Sequence, residues 1–372
     1  MADLYAGLIS GTSMDGIDAV VVGFESHQAD VRSSITLAFD PQTRAELDRV
    51  RNNPDHYPVA ELARLDARLG EVFAQAALQA IAKAGLAPAE IKAIGSHGQT
   101  IIHRPGPGEP LPHSLQIGDP HRIAALTGIP TVADFRRSDL AAGGQGAPLA
   151  PLLHKALLAS PDEDRVVVNL GGIANITLLP ANGPVRGFDT GPANCFLDAW
   201  YRRHHSDRYD RNGEWAASGQ VNADWLEALM QDDYFSQPAP KSTGIEYFSI
   251  RWLEQRLPGW AEQRPADIQA TLAELSARSL SEALAHACPN SPARILVCGG
   301  GVHNRDLIER IARPAPSPVQ SSADFGLDPD AVEAVLFAWL ARKHLAGEHI
   351  DTRTITGARH CIQPGLMALP PR

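Results

Sequence analysis

Short apolar runs at residues 4–10 (LYAGLIS) and 19–24 (AVVVGF) predict two strands, and a third near 31–39 completes an antiparallel meander. Residues 59–84 carry Leu62, Leu65, Leu69, Phe73, Ala76 and Ala80 on one stripe, which predicts a long amphipathic helix. A short strand at 91–95 runs into Ser96-His97-Gly98-Gln99-Thr100, and 104–113 is too rich in Pro and Gly to be other than a loop. Near residue 130 the pattern begins again. TVADF and a helix at 147–160 precede strands at 166–170 and 176–180, which flank Gly171-Gly172-Ile173-Ala174-Asn175. A helix whose first residue is Pro192 follows, then a helix at 266–287, a strand at 294–298, and helices from Asn304 and over 330–346.

Two strand–glycine turn–strand units, near residues 11 and 171, each open one half of the chain. This is a duplication of topology rather than of sequence. It predicts an α/β fold of two lobes with a shared cleft, the N-terminal lobe over 1–130, joined by part of the C-terminal segment, and the C-terminal lobe over 131–372. A length of 372 residues exceeds one ordinary core and suits two. The loop Ala142-Gly143-Gly144-Gln145-Gly146-Ala147-Pro148 reads either as a hinge between lobes or as a surface turn.

Charge narrows the partners. The net charge is −10, only five residues are Lys, and no basic tract exists, which argues against nucleic acid or an anionic membrane surface. The four cysteines form no C-x-x-C pair, which argues against disulfides and zinc. The start Met-Ala-Asp-Leu-Tyr lacks a signal-peptide n-region, and no apolar run approaches ~18 residues, so the expectation is a cytoplasmic protein.

Several turns carry candidate chemistry. Gly11-Thr12-Ser13-Met14-Asp15-Gly16-Ile17-Asp18 holds two hydroxyls and two carboxylates, more than a hairpin needs, and fits phosphate with hydrated Mg²⁺. Gly299-Gly300-Gly301-Val302-His303-Asn304 follows a strand, yet its sixth residue is not the Gly or Ala of a dinucleotide fingerprint. No G-x-x-x-x-G-K-[ST] element occurs, which excludes a P-loop. Asp189 in Gly187-Phe188-Asp189-Thr190-Gly191-Pro192 is either a helix-capping residue or, beside a phosphate site, a general base kept ionised by the helix N-terminus. His97 reads as a packing residue or a ligand contact. Arg136 and Arg137 read as surface ion-pair partners or as a carboxylate clamp.

In order along the chain stand GTSMDGID, SHGQT, ADFRRSD-LAAGGQGAPLAP, NLGGIANIT, FDTGPAN, PKSTG and CGGGVHN. Together they resemble the anhydro-N-acetylmuramic acid kinases, a family of the sugar kinase/Hsp70/actin superfamily, from about residue 5 to about 345. The resemblance implies two ribonuclease-H-like lobes with mixed sheets flanked by helices and ATP in the cleft. It implies hydrolytic opening of a 1,6-anhydro ring with phosphorylation of O6, in cell-wall recycling. It makes Gly11, Thr12, Ser13, Met14, Asp15, Gly16, Ile17 and Asp18 the first phosphate turn. Gly171, Gly172 and Asn175 become the second, and Gly299, Gly300 and Gly301 the nucleoside loop. Asp189 becomes the catalytic base, and His97, Arg136 or Arg137, and Glu333 become sugar contacts. ATP and Mg²⁺ are the implied cofactors, with metal ligands and the choice between monomer and homodimer left open. Another sugar kinase of the same superfold, or a non-catalytic actin-like ATPase, are the competing readings.

Overall fold

The computed structural model of the chain describes residues 2–11, 14, 16–25, 28–106, 109–239, 241–257 and 259–371. Its strands are β1 (Leu4–Ser10), β2 (Gly16–Glu25), β3 (Gln28–Ala38), β4 (Ile91–Arg104), β5 (His113–Ile117), β6 (Thr131–Ala133), β7 (Arg165–Leu170), β8 (Ile173–Leu179), β9 (Arg186–Pro192), β10 (Arg294–Cys298), β11 (Val319–Ser321) and β12 (Leu366–Ala368). They divide between two compact units, Met1–Leu157 with Gly326–Arg372, and Leu158–Phe325.

In the first unit the sheet order is β12-β6-β4-β1-β2-β3, with β5 paired to β4. Strands β1, β2 and β3 form the expected antiparallel meander, and β4 and β6 join parallel on the far side of β1. The second unit has the order β11-β10-β7-β8-β9. Here too an antiparallel meander, β7-β8-β9, is followed by parallel strands β10 and β11. Each unit therefore has the ribonuclease-H-like order, and the duplication read from the glycine turns is present as topology. Among the described residues no helix is long and apolar enough to cross a membrane.

Alternation along β1 explains the layering of the first unit. Ala6 and Leu8 point into a core shared with Leu65, Leu69, Phe73, Ala76 and Ala80 of the helix Val59–Lys83. Gly7 points the other way, onto the helix Val332–Leu345. A Cβ at Gly7 would lie 1.8 Å from the Ala334 carbonyl oxygen, and one at Gly95 of β4 would lie 1.9 Å from that of Phe337. The helix thus rests backbone to backbone on the sheet, an approach only glycine permits.

Three expectations change. A boundary near residue 130 falls inside the first unit, where β6 pairs with both β4 and β12, and the chain crosses between units at 157/158 and 325/326. The glycine loop near 143–146 is a fixed part of the first unit instead of a hinge. Buried Asp139 accepts from Gly146 N at 2.7 Å, Thr352 Oγ1 at 2.6 Å and Thr356 Oγ1 at 2.8 Å, and Gln145 N donates to Thr356 O at 2.9 Å. The segment after 347, without a sequence reading, supplies those threonines and the edge strand β12.

Gly95→Ala should lower unfolding free energy by about 3 kcal/mol, because the added methyl overlaps backbone and has no side-chain end to displace. Urea unfolding measures this; an unchanged midpoint would show that the helix can lift off the sheet freely.

Candidate active site

In the first unit the site is built around an extra residue in β4. Leu8 pairs with Ser96 and Ser10 with Gln99, so β4 advances three residues where β1 advances two. This bulge takes Gly98 to φ +74 and re-aims His97, as bulges do beside functional sites. SHGQT therefore lies within a strand, not at its end. His97 is buried with its ring 4.6 Å from that of Phe337. Arg136 Nε donates to His97 Nε2 at 3.0 Å, and His97 Nδ1 lies 3.0 Å from Gly98 O. A guanidinium only donates and a carbonyl only accepts, so the ring is neutral with its proton on Nδ1. Burial first, then Arg136, holds its pKa well below the ordinary histidine range.

Arg136 also donates from Nη1 to Gly146 O at 2.7 Å. Burial pushes its pKa down to about 10, against the opposing pull of Glu333 and Asp139. Glu333, at the start of the seated helix, reaches solvent with its side chain, yet lost solvation raises its carboxyl and the Asp18 charge raises it further, with Arg136 opposing. His97, Arg136, Glu333 and Asp18 thus form one electrostatic group. Arg137 does not join it: this exposed side chain pairs with Asp134 at 2.7 Å.

The first glycine turn is partly described. Thr12, Ser13 and Asp15 lie outside the described residues. Gly11 O accepts from Met14 N at 3.1 Å, and a Cβ at Gly11 would meet nothing within 4 Å among the described residues. At Gly16 the constraint is structural, since a Cβ would lie 2.4 Å from Leu37 O of β3. The side chains of Met14 and Ile17 sit in the core, not toward a ligand. Asp18 Oδ1 accepts from Thr36 Oγ1 at 2.6 Å.

The second unit places a polar row across its sheet. Cys298, Asn169, Asn175 and Asp189 are successive cross-strand partners on β10, β7, β8 and β9. Asn169 and Asn175 alternate with Val168, Leu170, Ala174 and Ile176, which face the helical core, so the row lies on the opposite face. Asp189 belongs to strand β9, and the following helix begins at Asn194 instead of Pro192. Its first amides are already used: Asn194 N donates to Gly171 O, and Ala193 N and Cys195 N donate to Gly172 O, each at 3.0 Å. With those carbonyls turned to the helix, peptide planarity points the amides of Gly172 and Ile173 away from it.

The helix N-terminus therefore does not set the state of Asp189. Burial raises its pKa, Thr243 N at 3.0 Å and Ser242 Oγ at 2.8 Å on Oδ2 lower it, and Glu246 raises it. In the loop after β10, expected to meet the nucleoside, Gly299 (φ +82) and Gly301 answer packing, since a Cβ would lie 2.3 Å from Asn169 Oδ1 and 2.6 Å from Leu170 Cβ respectively. Gly300 meets nothing within 4 Å and is exposed. Asn304 caps the next helix, accepting from Leu307 N at 3.0 Å.

The family model "Anhydro-N-acetylmuramic acid kinase" matches residues 3–369. Proteins of that name are similar throughout. The one from Xylella fastidiosa is 49% identical over 96% of this chain and 94% of its own, and that from Xanthomonas campestris pv. campestris (strain 8004) 52% over 95% and 94%. The protein from Saccharophagus degradans is 45% identical over 98% of each chain. The chain belongs to this family. It is a kinase.

Asn169, Ser242 and Thr243 were not among the residues singled out for the site. Asn169 could have been found, because it is the polar break in the run VVVNL and shares a face with Asn175. Ser242 and Thr243 lie in PKSTG, one of the stretches that carry the resemblance, but nothing local tied them to Asp189, 53 and 54 residues away. Among the described residues no group of three His, Cys, Asp or Glu could hold a metal ion.

His97 and His103 yield a pH prediction. His97 is held well below its ordinary value of 6.5, and half-buried His103, desolvated and near the charge of Arg136, is pushed down to about 4. The unfolded chain then binds more protons than the native one below pH 6.5. Stability should be full above that value and fall as pH drops toward the folded pKa values, with a slope of up to about 1.4 kcal/mol per pH unit for each histidine. Denaturant unfolding at pH 7, 6 and 5 measures it; a flat profile would mean that the imidazoles are hydrated.

Proposed function

We propose that the chain phosphorylates 1,6-anhydro-N-acetylmuramic acid at O6 with ATP while water opens the anhydro bridge. The carrying observation is Asp189, a raised carboxylate whose described side-chain hydrogen bonds both end on Oδ2. An anhydro sugar has no free 6-hydroxyl, because O6 is bonded to C1. Asp189 takes a proton from a water whose oxygen bonds to C1. The C1–O6 bond breaks, and O6 bonds to the γ-phosphorus as ADP leaves. Raising the pKa of such a base strengthens it while leaving it an acceptor.

Arg136, held by His97 and Gly146, is the cation assigned to the sugar carboxylate, and Glu333 accepts from sugar hydroxyls. Gly11, the amides of Gly172 and Ile173, and the open Gly300 hold the nucleotide. Mg²⁺ needs one or two carboxylates and leaves its other positions to phosphate and water, a requirement Asp18 meets with Glu333 nearby. When bound, it neutralises charge on the phosphates. The reaction belongs to cytoplasmic recycling of cell-wall sugars.

Two outcomes test this reading. Asp189→Asn should lower kcat by about 10²–10⁴-fold while ATP binding persists. In ¹⁸O-water the label should enter C1 of the product, and label in phosphate would overturn the mechanism. Separately, Gly11→Val should keep its fold, since a Cβ there meets none of the described residues, and lose ATP affinity by about tenfold or more by crowding the backbone approach. Calorimetry showing unchanged ATP binding would remove Gly11 from the nucleotide site.

A further inference from the structure

The segment from Asp232 to Tyr247 leaves and returns to one buried carboxylate. Asp232 Oδ1 accepts from Tyr234 N at 2.9 Å and from Tyr247 Oη at 2.8 Å, and its Oδ2 accepts from Trp252 Nε1 at 3.0 Å and from Arg256. Between these pinned ends the segment lies along β9. Asp189 N donates to Lys241 O at 3.1 Å, and Tyr234 Oη donates to Asp189 O at 2.7 Å. Ser242 Oγ and Thr243 N both end on Asp189 Oδ2, at 2.8 and 3.0 Å. The amide, the carbonyl and one carboxylate oxygen of Asp189 are thus all bonded to a single strap.

We propose that Ser242 is a positioning residue, whose hydroxyl, with the Thr243 amide, fixes Asp189 through Oδ2 and leaves Oδ1 directed to the reacting water. This rests on Asp189 being the base. The groups facing that carboxylate make the role specific. Lys241 does not neutralise it, because its Nζ donates to Tyr234 O at 2.9 Å and Phe235 O at 3.1 Å and lies 4.6 Å from the Tyr234 ring centroid. Glu246 adds like charge, and Tyr234 meets Asp189 through the main chain. Orientation therefore comes from neutral donors. A neutral donor to the ionised form also lowers its pKa. Removing the Ser242 hydroxyl leaves burial and Glu246 less opposed, so Asp189 should protonate at higher pH.

The experiment follows kcat/KM against pH for the full-length enzyme and for Ser242→Ala, Ser242→Thr and Asp189→Asn, with KM for ATP measured in parallel. Ser242→Ala should move the acid limb to higher pH and lower kcat/KM below it about 3- to 10-fold, with KM for ATP within about twofold. Ser242→Thr, which keeps the hydroxyl, should restore the limb. A Ser242→Ala profile superimposing on the parent, with Asp189→Asn inactive, would overturn the positioning role alone. Near-normal turnover by Asp189→Asn would overturn the base assignment and this role with it.

Discussion

The first unit depends on one steric constraint: the helix Val332–Leu345 sits on the sheet at Gly7 and Gly95 without a side chain between the backbones. That seat fixes the helix at two adjacent strands, and with it the two residues it brings to the site. Glu333 stands at its first turn, and the ring of Phe337, whose carbonyl meets Gly95, packs tilted against His97. His97 in turn holds Arg136. A helix a side-chain thickness further out would leave the His97 ring without its packing partner and the half-buried Arg136 guanidinium without its nearby carboxylate.

The second unit uses the same strand order with a different device. Its glycines at 299 and 301 let the loop after β10 close over the end of β7, against Asn169 and Leu170. The helix after β9 is capped by the carbonyls of Gly171 and Gly172 instead of by a side chain. One glycine turn therefore serves two purposes. Its carbonyls terminate a helix, and the opposite edges of the same peptides are turned away from that helix. Topology was duplicated, whereas the packing that fills it was not.

Much of this architecture was legible because it is periodic. The helix over 59–83 and the meander of β1 to β3 follow from spacing alone. The alternation of Ile17, Ala19 and Val21 also identifies a core face, so the burial of Ile17 was readable despite its place beside the first glycine turn. What escaped were features made by partners far away in sequence. Strand β9 ends in Asp-Thr-Gly-Pro, residues that read as a turn, and the strap supplies bonds to its Asp189. Strand β4 continues past Gly98 because a bulge absorbs the glycine. The loop at 143–146 looked mobile because its anchor, Asp139, binds threonines 213 and 217 residues later. No window of local sequence contains both halves of such an interaction.

The two candidate carboxylates show why burial alone does not assign a role. Glu333 and Asp189 are both raised first by lost solvation and then by another carboxylate, Asp18 in one case and Glu246 in the other. They differ in what opposes the shift. Glu333 faces Arg136, a cation that favours the charged form wherever a proton is offered. Asp189 faces a hydroxyl and a backbone amide, and the one nearby ammonium, Lys241, is turned onto carbonyls. A cation on Asp189 would orient it equally well but would weaken it as a base, because ionisation would already be satisfied before a proton arrived. Neutral donors orient the group and leave its proton affinity elevated. On the proposed assignment, the carboxylate that binds sugar is thus the one matched with charge, and the carboxylate that takes the proton is the one matched with dipoles.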